Sequence, residues 1–244
     1  MVPGGGGRVN FLGEGGDLFK IYLLYSLAPI FGGYVVMAII VGISSFLGQQ
    51  LKTDVLPILG AGVGGLLLLC LVLGVSVFFG HKFNEFHFQH LKLDNNQLEY
   101  RGTPGGLAKV LLVNLLLTYL TLGIYGPWAY VNYKKYCYEN TYINGQPGRL
   151  TFDGNPADLL GKYIIGLLLT YCTFGIYIFW FMNDIFAFMW ENTKLDGRPF
   201  QFRRDPGGLF GTLILNYLLV YCTMGIYVPW MMCNLFKWEA EHVS

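Results

Sequence analysis

Between residues 21 and 79 the sequence holds two apolar stretches, 21–47 and 55–79, parted by a short segment that carries Lys52 and Asp54. Each exceeds the ~20 residues a helix needs to cross a hydrocarbon core of ~30 Å. No water is present at that depth, so a chain committed to lipid must satisfy its backbone internally, as a helix or a closed barrel. Unbroken apolar runs of this length read as helices. Only 13% of the 244 residues are charged, against about 25% in ordinary soluble domains. The sequence therefore predicts an all-α polytopic membrane protein.

Downstream, one pattern returns three times: "TLGIYGPW" at 121–128, "TFGIYIFW" at 173–180 and "TMGIYVPW" at 223–230. Repetition at a fixed period marks a structural unit. Ahead of each corner stands a head, "YRGTPGGL", "FDGNPADL" or "FRRDPGGL", and "FLGEGGDL" at 11–18 is a fourth, N-terminal copy. Between copies lie "YINGQ" and "KLDGR", where Asn-Gly or Asp-Gly flanked by alternating residues signals a tight β-hairpin. The expected architecture is four helix–corner–helix units, about eight membrane helices, linked by small cytoplasmic β-hairpins. Residues 1–98 form an elaborated first unit, and 99–150, 151–201 and 202–244 form three repeats.

In this scheme Gly123, Gly175 and Gly225 release the first helix of each repeat, and Pro127 and Pro229 open the second. Tyr125, Trp128, Tyr177, Trp180, Tyr227 and Trp230 flank the corners, where amphipathic rings suit a membrane interface. Of sixteen Lys and Arg residues, only Lys52 lies on the corner side. The positive-inside rule then places the hairpins and both termini in the cytoplasm. The first helices run about 17 residues, near 25 Å at 1.5 Å per residue, so the hairpins tilt, thin the bilayer or stop part-way. The Gly-rich start holds no apolar signal segment. Net charge near zero gives no reason to expect nucleic acid. The five cysteines read as small buried packing residues.

Residues 100–146, "YRGTPGGLAKVLLVNLLLTYLTLGIYGPWAYVNYKKYCYENTYINGQ", resemble the YjgN family of bacterial inner-membrane proteins, a domain of unknown function. The resemblance covers 99–244 most clearly and reaches 1–98 only through "FLGEGGDLF". Phe179 departs from the corner proline and Arg204 from the head glycine. The resemblance implies an inner-membrane, multi-pass location and no activity.

Asp184 is the sharpest candidate residue. It sits beside Asn183, where sister units carry Asn132 and Asn234, and Asn114 and Asn216 share a position in the first helices. A carboxylate inside a membrane helix usually faces a bundle interior, a water pocket or a charged partner. These residues define a polar track lining a pathway, or interhelical hydrogen-bonding glue. The Gly-rich heads, with Gly105, Gly106, Gly207, Gly208, Arg203 and Arg204, offer helix N-termini to an anion such as a lipid headgroup; plain helix initiation is the alternative. His87 and His90 share a helix face and are weak metal candidates, set against a solvated interface. No metal or cofactor is expected. Gly60 and Gly64 form a GxxxG that permits close helix contact. No catalytic motif stands out, so no enzymatic activity is expected. Two functional readings remain, a small-solute or ion transporter and a structural subunit of a larger membrane complex. The partners in view are membrane lipids, other membrane subunits or a second copy.

Overall fold

The structure, a computed structural model, describes residues 7–94 and 96–244. Strand β1 (Val9–Phe11) leads into α1 (Gly15–Tyr22), which continues through a π turn, Leu23–Leu27, into α2 (Ala28–Leu51). Pro29 accounts for the π turn. Its ring excludes the carbonyl of Tyr25 and brings no N–H, and the Ala28 N–H instead reaches the Leu23 carbonyl, five residues back. A left-handed Lys52 ends α2, and α3 (Val55–His90) follows. Among the described residues, these two stretches are long and apolar enough to cross a membrane.

Three shorter helix pairs come next, α4 (Pro104–Leu120) with α5 (Gly126–Glu139), α6 (Pro156–Cys172) with α7 (Ile178–Glu191), and α8 (Pro206–Cys222) with α9 (Val228–Glu241). Each first helix opens on a proline behind a capping side chain. Thr103 accepts from the Gly106 N–H, Asn155 from Ala157 and Asp205 from Gly208, at 3.1, 3.1 and 2.9 Å. The three corners share one geometry. Leu122, Phe174 and Met224 take φ near 50°, and Gly123, Gly175 and Gly225 follow at 94°, 92° and 92°. The expected glycine release is present, although a non-glycine residue precedes it in the left-handed region.

Strands β2 (Leu91–Leu93), β3 (Asn96–Tyr100), β4 (Thr141–Ile143) and β5 (Gln146–Pro147) join β1 in one antiparallel sheet of order β1-β2-β3-β4-β5. Strands β6 (Leu150–Phe152), β7 (Thr193–Leu195) and β8 (Arg198–Pro199) form a second. At the turns, Asn144-Gly145 and Asp196-Gly197 hold positive φ at both central residues, as a two-residue hairpin demands. The β-hairpins read from the sequence at Asn144-Gly145 and Asp196-Gly197 are thus in place; Asn95 lies outside the described residues.

The chain divides into two compact units, Phe19–Phe83 and a second made of Met1–Leu18 with Asn84–Ser244. This division runs through α1 and α3, because the head and exit of the first copy pack with the later copies. In the 19–83 unit, α2 and α3 meet through glycines. A Cβ on Gly33 would collide with Leu71 and one on Gly60 with Ser44, while Gly64 faces Met37.

In the other unit, α5 packs on α6 and α7 on α8, while α9 packs on β1. The side chain of Trp230 covers Gly15, and Phe11 meets Phe236 with ring centroids 5.2 Å apart. The end of α3, with α5, α7 and α9, therefore makes a ring of four helix ends. Cys137 and Cys233 are buried as expected, but Cys70, Cys172 and Cys222 are exposed on apolar helix faces.

Candidate functional site

The four helix ends obey one local rule. His90, Asn140, Asn192 and His242 stand at matching positions. Each donates from its side chain to the backbone carbonyl four residues back, at 2.8, 2.8, 2.7 and 2.7 Å. Each offers its own carbonyl to the head strand of its unit, at Leu12, Arg101, Asp153 and Arg203, over 2.9, 2.8, 3.0 and 2.8 Å. Every second helix is thereby stitched to the start of its own copy. Orphan carbonyls at a helix end need such partners.

Three residues before these caps come His87, Cys137, Met189 and Glu239, and six before come Asn84, Lys134, Phe186 and Phe236. These positions meet at the ring's centre. The Trp190 indole N–H donates to the buried Glu239 carboxylate. Lys134 holds its ammonium 5.9 Å from the Tyr130 ring centroid and 5.8 Å from that of Tyr138, cation–π geometry. Its charge and that of Glu239 act on one another. Tyr138 meets Thr193 at 3.3 Å, Tyr130 donates to the Met189 sulfur at 3.1 Å, and Tyr133 donates to Asn84 at 2.6 Å. His87 lies against the Phe236 ring, 4.6 Å between centroids. Opposite charges, hydroxyls and an indole converge from α5, α7 and α9 with few bonds left open.

Sequence reasoning missed this cluster. Neither Lys134 nor Glu239 stood among the candidate residues. Alignment of the four exit segments would have exposed it, since Glu239 stands where its sisters are His87, Cys137 and Met189.

The expected polar track is divided into three separate groups. In the second copy Asn132 donates to Asn114 at 3.2 Å and to the Tyr125 hydroxyl at 3.2 Å, and Asn114 donates to the Ala129 carbonyl at 3.3 Å. In the fourth, Asn234 donates to Asn216 at 2.9 Å, and Asn216 turns back to the Thr212 carbonyl. The third copy has Gly166 where the sisters have Asn, and the Phe181 ring fills the vacated space. Asn183 accepts from the Asp205 N–H at 2.9 Å and donates to the Phe179 carbonyl at 3.0 Å.

Asp184 leaves the pattern in a revealing direction. It accepts from Arg204 at 3.3 Å, and Arg204 also reaches Glu191 at 3.2 Å. Elsewhere the position of Arg204 is a glycine because the head aromatic folds over it; a Cβ on Gly13, Gly102 or Gly154 would strike Phe11, Tyr100 or Phe152. The fourth copy breaks that rule with an arginine, and the third breaks its own with an aspartate. The two departures are each other's partners. Phe179, the corner departure, packs edge-on against Phe210 with 4.9 Å between centroids.

The Gly-rich heads are occupied by their own chain. Thr103 takes the Gly106 N–H and Asp205 that of Gly208, so a carboxylate already stands where an anion was expected. The Gly208 N–H, with help from His242, holds the Asp205 carboxyl below its ordinary range. Gly105 and Gly207 remain in the first turns, and Arg203 gives its N–H to the His242 carbonyl. His90 is committed to its cap. Among the described residues no group of three or more His, Cys, Asp or Glu side chains is arranged to hold a metal. At the corners, Tyr125, Tyr177 and Tyr227 stack on Trp128, Trp180 and Trp230 at 6.0, 6.1 and 5.8 Å, with planes within 15° of parallel.

Residues 95–160 and 147–215 each match the model of a family described as bacterial protein of unknown function (DUF898). Over 53 residues the chain is 47% identical to the inner membrane protein YjgN of Salmonella typhimurium, which is 22% of this chain and 13% of that protein. Over 56 residues it is 39% identical to inner membrane protein YjgN of Escherichia coli, covering 23% and 14%. The match thus spans a small part of each relative's length. No solved structure matches the fold.

Proposed function

The chain belongs, through its repeat region, to the YjgN family of bacterial inner-membrane proteins, and on that premise we propose that it is a multi-pass structural subunit, without enzymatic activity, that seats a larger membrane assembly. In this reading all four helix pairs enter the bilayer, with the β-hairpins and both termini on the cytoplasmic side. The fifteen-to-one distribution of Lys and Arg supports that orientation.

One observation carries the choice over a transporter: most of the polar side chains along the helix pairs and at their ends are bonded to one another. Asn114 and Asn132, Asn216 and Asn234, Glu239 and Trp190, Asp184 and Arg204 are bonded to one another, and Cys137, Tyr138, Met189 and Trp190 bury themselves at the ring centre. A binding site keeps convergent polar groups open for its ligand. Interhelical hydrogen bonds fix register instead.

Extracted from its own membrane in mild detergent, the protein is expected to migrate well above its own 27.5 kDa. Reconstituted alone, it is expected to carry no proton or ion flux. Migration as a single copy overturns the subunit reading. Flux that Glu239→Gln abolishes overturns it in favour of a conduit.

A further inference from the structure

The three corners leave no backbone donor open. Every backbone N–H from Thr121 to Gly126 has an acceptor within the chain: Thr121 on Leu117, Leu122 on Tyr119, Gly123 on Thr118, Ile124 on Thr121, and Gly126 on Gly123. The remaining donor, Tyr125, binds the Thr121 hydroxyl at 3.0 Å, and that hydroxyl gives its hydrogen to the Leu117 carbonyl at 2.8 Å. The scheme recurs from Thr173 to Ile178 and from Thr223 to Val228, with Thr173 and Thr223 serving Tyr177 and Tyr227 at 3.0 and 3.1 Å. At the next step Pro127 and Pro229 have no N–H to satisfy.

The side chains at these tips are equally unsuited to water. Leu122, Phe174 and Met224 are 93%, 98% and 96% exposed. They hold left-handed backbone that disfavours any residue but glycine, by roughly 1–2 kcal/mol each. No charged residue occurs from Leu115 to Tyr130, from Leu167 to Met182 or from Tyr217 to Met232. Where this chain does turn in water it uses Asn144-Gly145 and Asp196-Gly197. Each first helix has 17 residues, about 25 Å at 1.5 Å per residue, and falls short of a core of ~30 Å.

We infer that the three tips end inside the hydrocarbon of the far leaflet, so that the short hairpins are re-entrant and lipid acyl chains cover Leu122, Phe174 and Met224. A turn can lie in lipid only if its backbone groups are satisfied internally, and at all three corners every donor is. Tilting or emergence at the far surface would bring the tips to water, where the exposed apolar side chains of Leu122, Phe174 and Met224 would have to be hydrated.

The test places a nitroxide label, one at a time, on Leu122→Cys, Phe174→Cys, Met224→Cys and the control Gln49→Cys. The full-length protein carries Cys70→Ala, Cys172→Ala and Cys222→Ala so that no other exposed thiol reacts. In reconstituted vesicles, collision with dissolved oxygen reports hydrocarbon and collision with a water-soluble nickel chelate reports solvent. The tips are expected to show high oxygen and low nickel accessibility, and Gln49 the reverse. Nickel accessibility at the tips equal to that at Gln49 overturns the inference. Low accessibility to both probes also overturns it, since protein and not lipid would then cover the tips. As a second readout, brominated acyl chains are expected to quench the corner tryptophans of the unlabelled protein, and absence of quenching counts against lipid burial.

Discussion

On the proposed multi-pass reading, the hairpin of residues 19–83 and the three short hairpins solve the same problem, burial of apolar helices in lipid, by opposite means. The long pair spends length. Its α3 alone has 36 residues, and its turn carries Lys52 and Asp54, residues that belong in water. Its polar side chains close on their own helices: Ser44 donates to the Val41 carbonyl and Ser76 to that of Val72, at 3.0 and 2.7 Å. Contact between its helices runs through Gly33, Gly60 and Gly64, where small residues let backbones approach. The short pairs spend specificity. Each has helices of 17 and 14 residues, a turn whose donors are all accounted for, and side-chain bonds that cross from one helix to the next. A helix long enough to span needs little else to stay in place. One too short to span must be held by its neighbours.

The largest effect should come from the ring centre, where that dependence is most concentrated. Glu239→Leu removes the acceptor of the Trp190 N–H and the opposite charge nearest Lys134. Leaving the buried indole donor without its acceptor costs about 1–3 kcal/mol, and the half-buried Lys134 also loses an attracting charge. Adding Lys134→Met should recover part of the loss, the share that comes from the lysine's unmatched charge. Hydrogen exchange followed in detergent should accelerate across 84–244 and remain unchanged within 19–83. Equal acceleration in both regions would erase the distinction between them.

A glycine exchanged in each region gives a smaller, sharper contrast. Gly225 holds φ at 92°, so Gly225→Ala should destabilise the fourth hairpin by about 1–2 kcal/mol even though the space around it is open. Gly62, within α3, also has open space and an ordinary helical backbone. Gly62→Ala should be neutral or stabilising by up to about 1 kcal/mol. Thermal unfolding of the two variants in one detergent checks the sign of each. A loss at Gly62 matching that at Gly225 would mean that backbone conformation does not decide the difference.

Much of this was legible in the sequence because it is local. Left-handed glycines, prolines at the first helical turn and Asn-Gly hairpins act within a few residues, so corners and junctions could be placed from composition and order alone. The head glycines were visible as a motif, but their cause, an aromatic ring folded back over them, needed the packing. The Thr103 and Asp205 caps were readable as helix starts, and their side chains fill the anion positions. The centre of the ring was not legible: Lys134 and Glu239 lie on helices far apart in sequence, and nothing near either one names the other. Asp184 was conspicuous for the right reason, a charge among apolar residues, while its partner stood twenty positions later as an unrelated oddity.

That pair supplies the finest distinction between hairpins held by length and hairpins held by contact. If Asp184 and Arg204 are two departures that compensate one another, each alone should be a poor fit and both together should return the repeat pattern. Asp184→Asn alone leaves Arg204 with Glu191. Arg204→Gly alone restores the head glycine and leaves Asp184 without its cation. Side-chain exposures of 39% for Asp184 and 44% for Arg204 keep the attraction well screened, so their coupling should be about 0.3–1 kcal/mol. In a double-mutant cycle the combined loss should fall below the sum of the single losses by that amount. The same two single changes should leave exchange within 19–83 untouched, since no residue there takes part. A coupling of zero would leave Asp184 and Arg204 as independent surface charges. A coupling well above about 1 kcal/mol would place the pair in a drier setting than these exposures describe, and would make the third and fourth hairpins depend on it as heavily as the ring depends on Glu239.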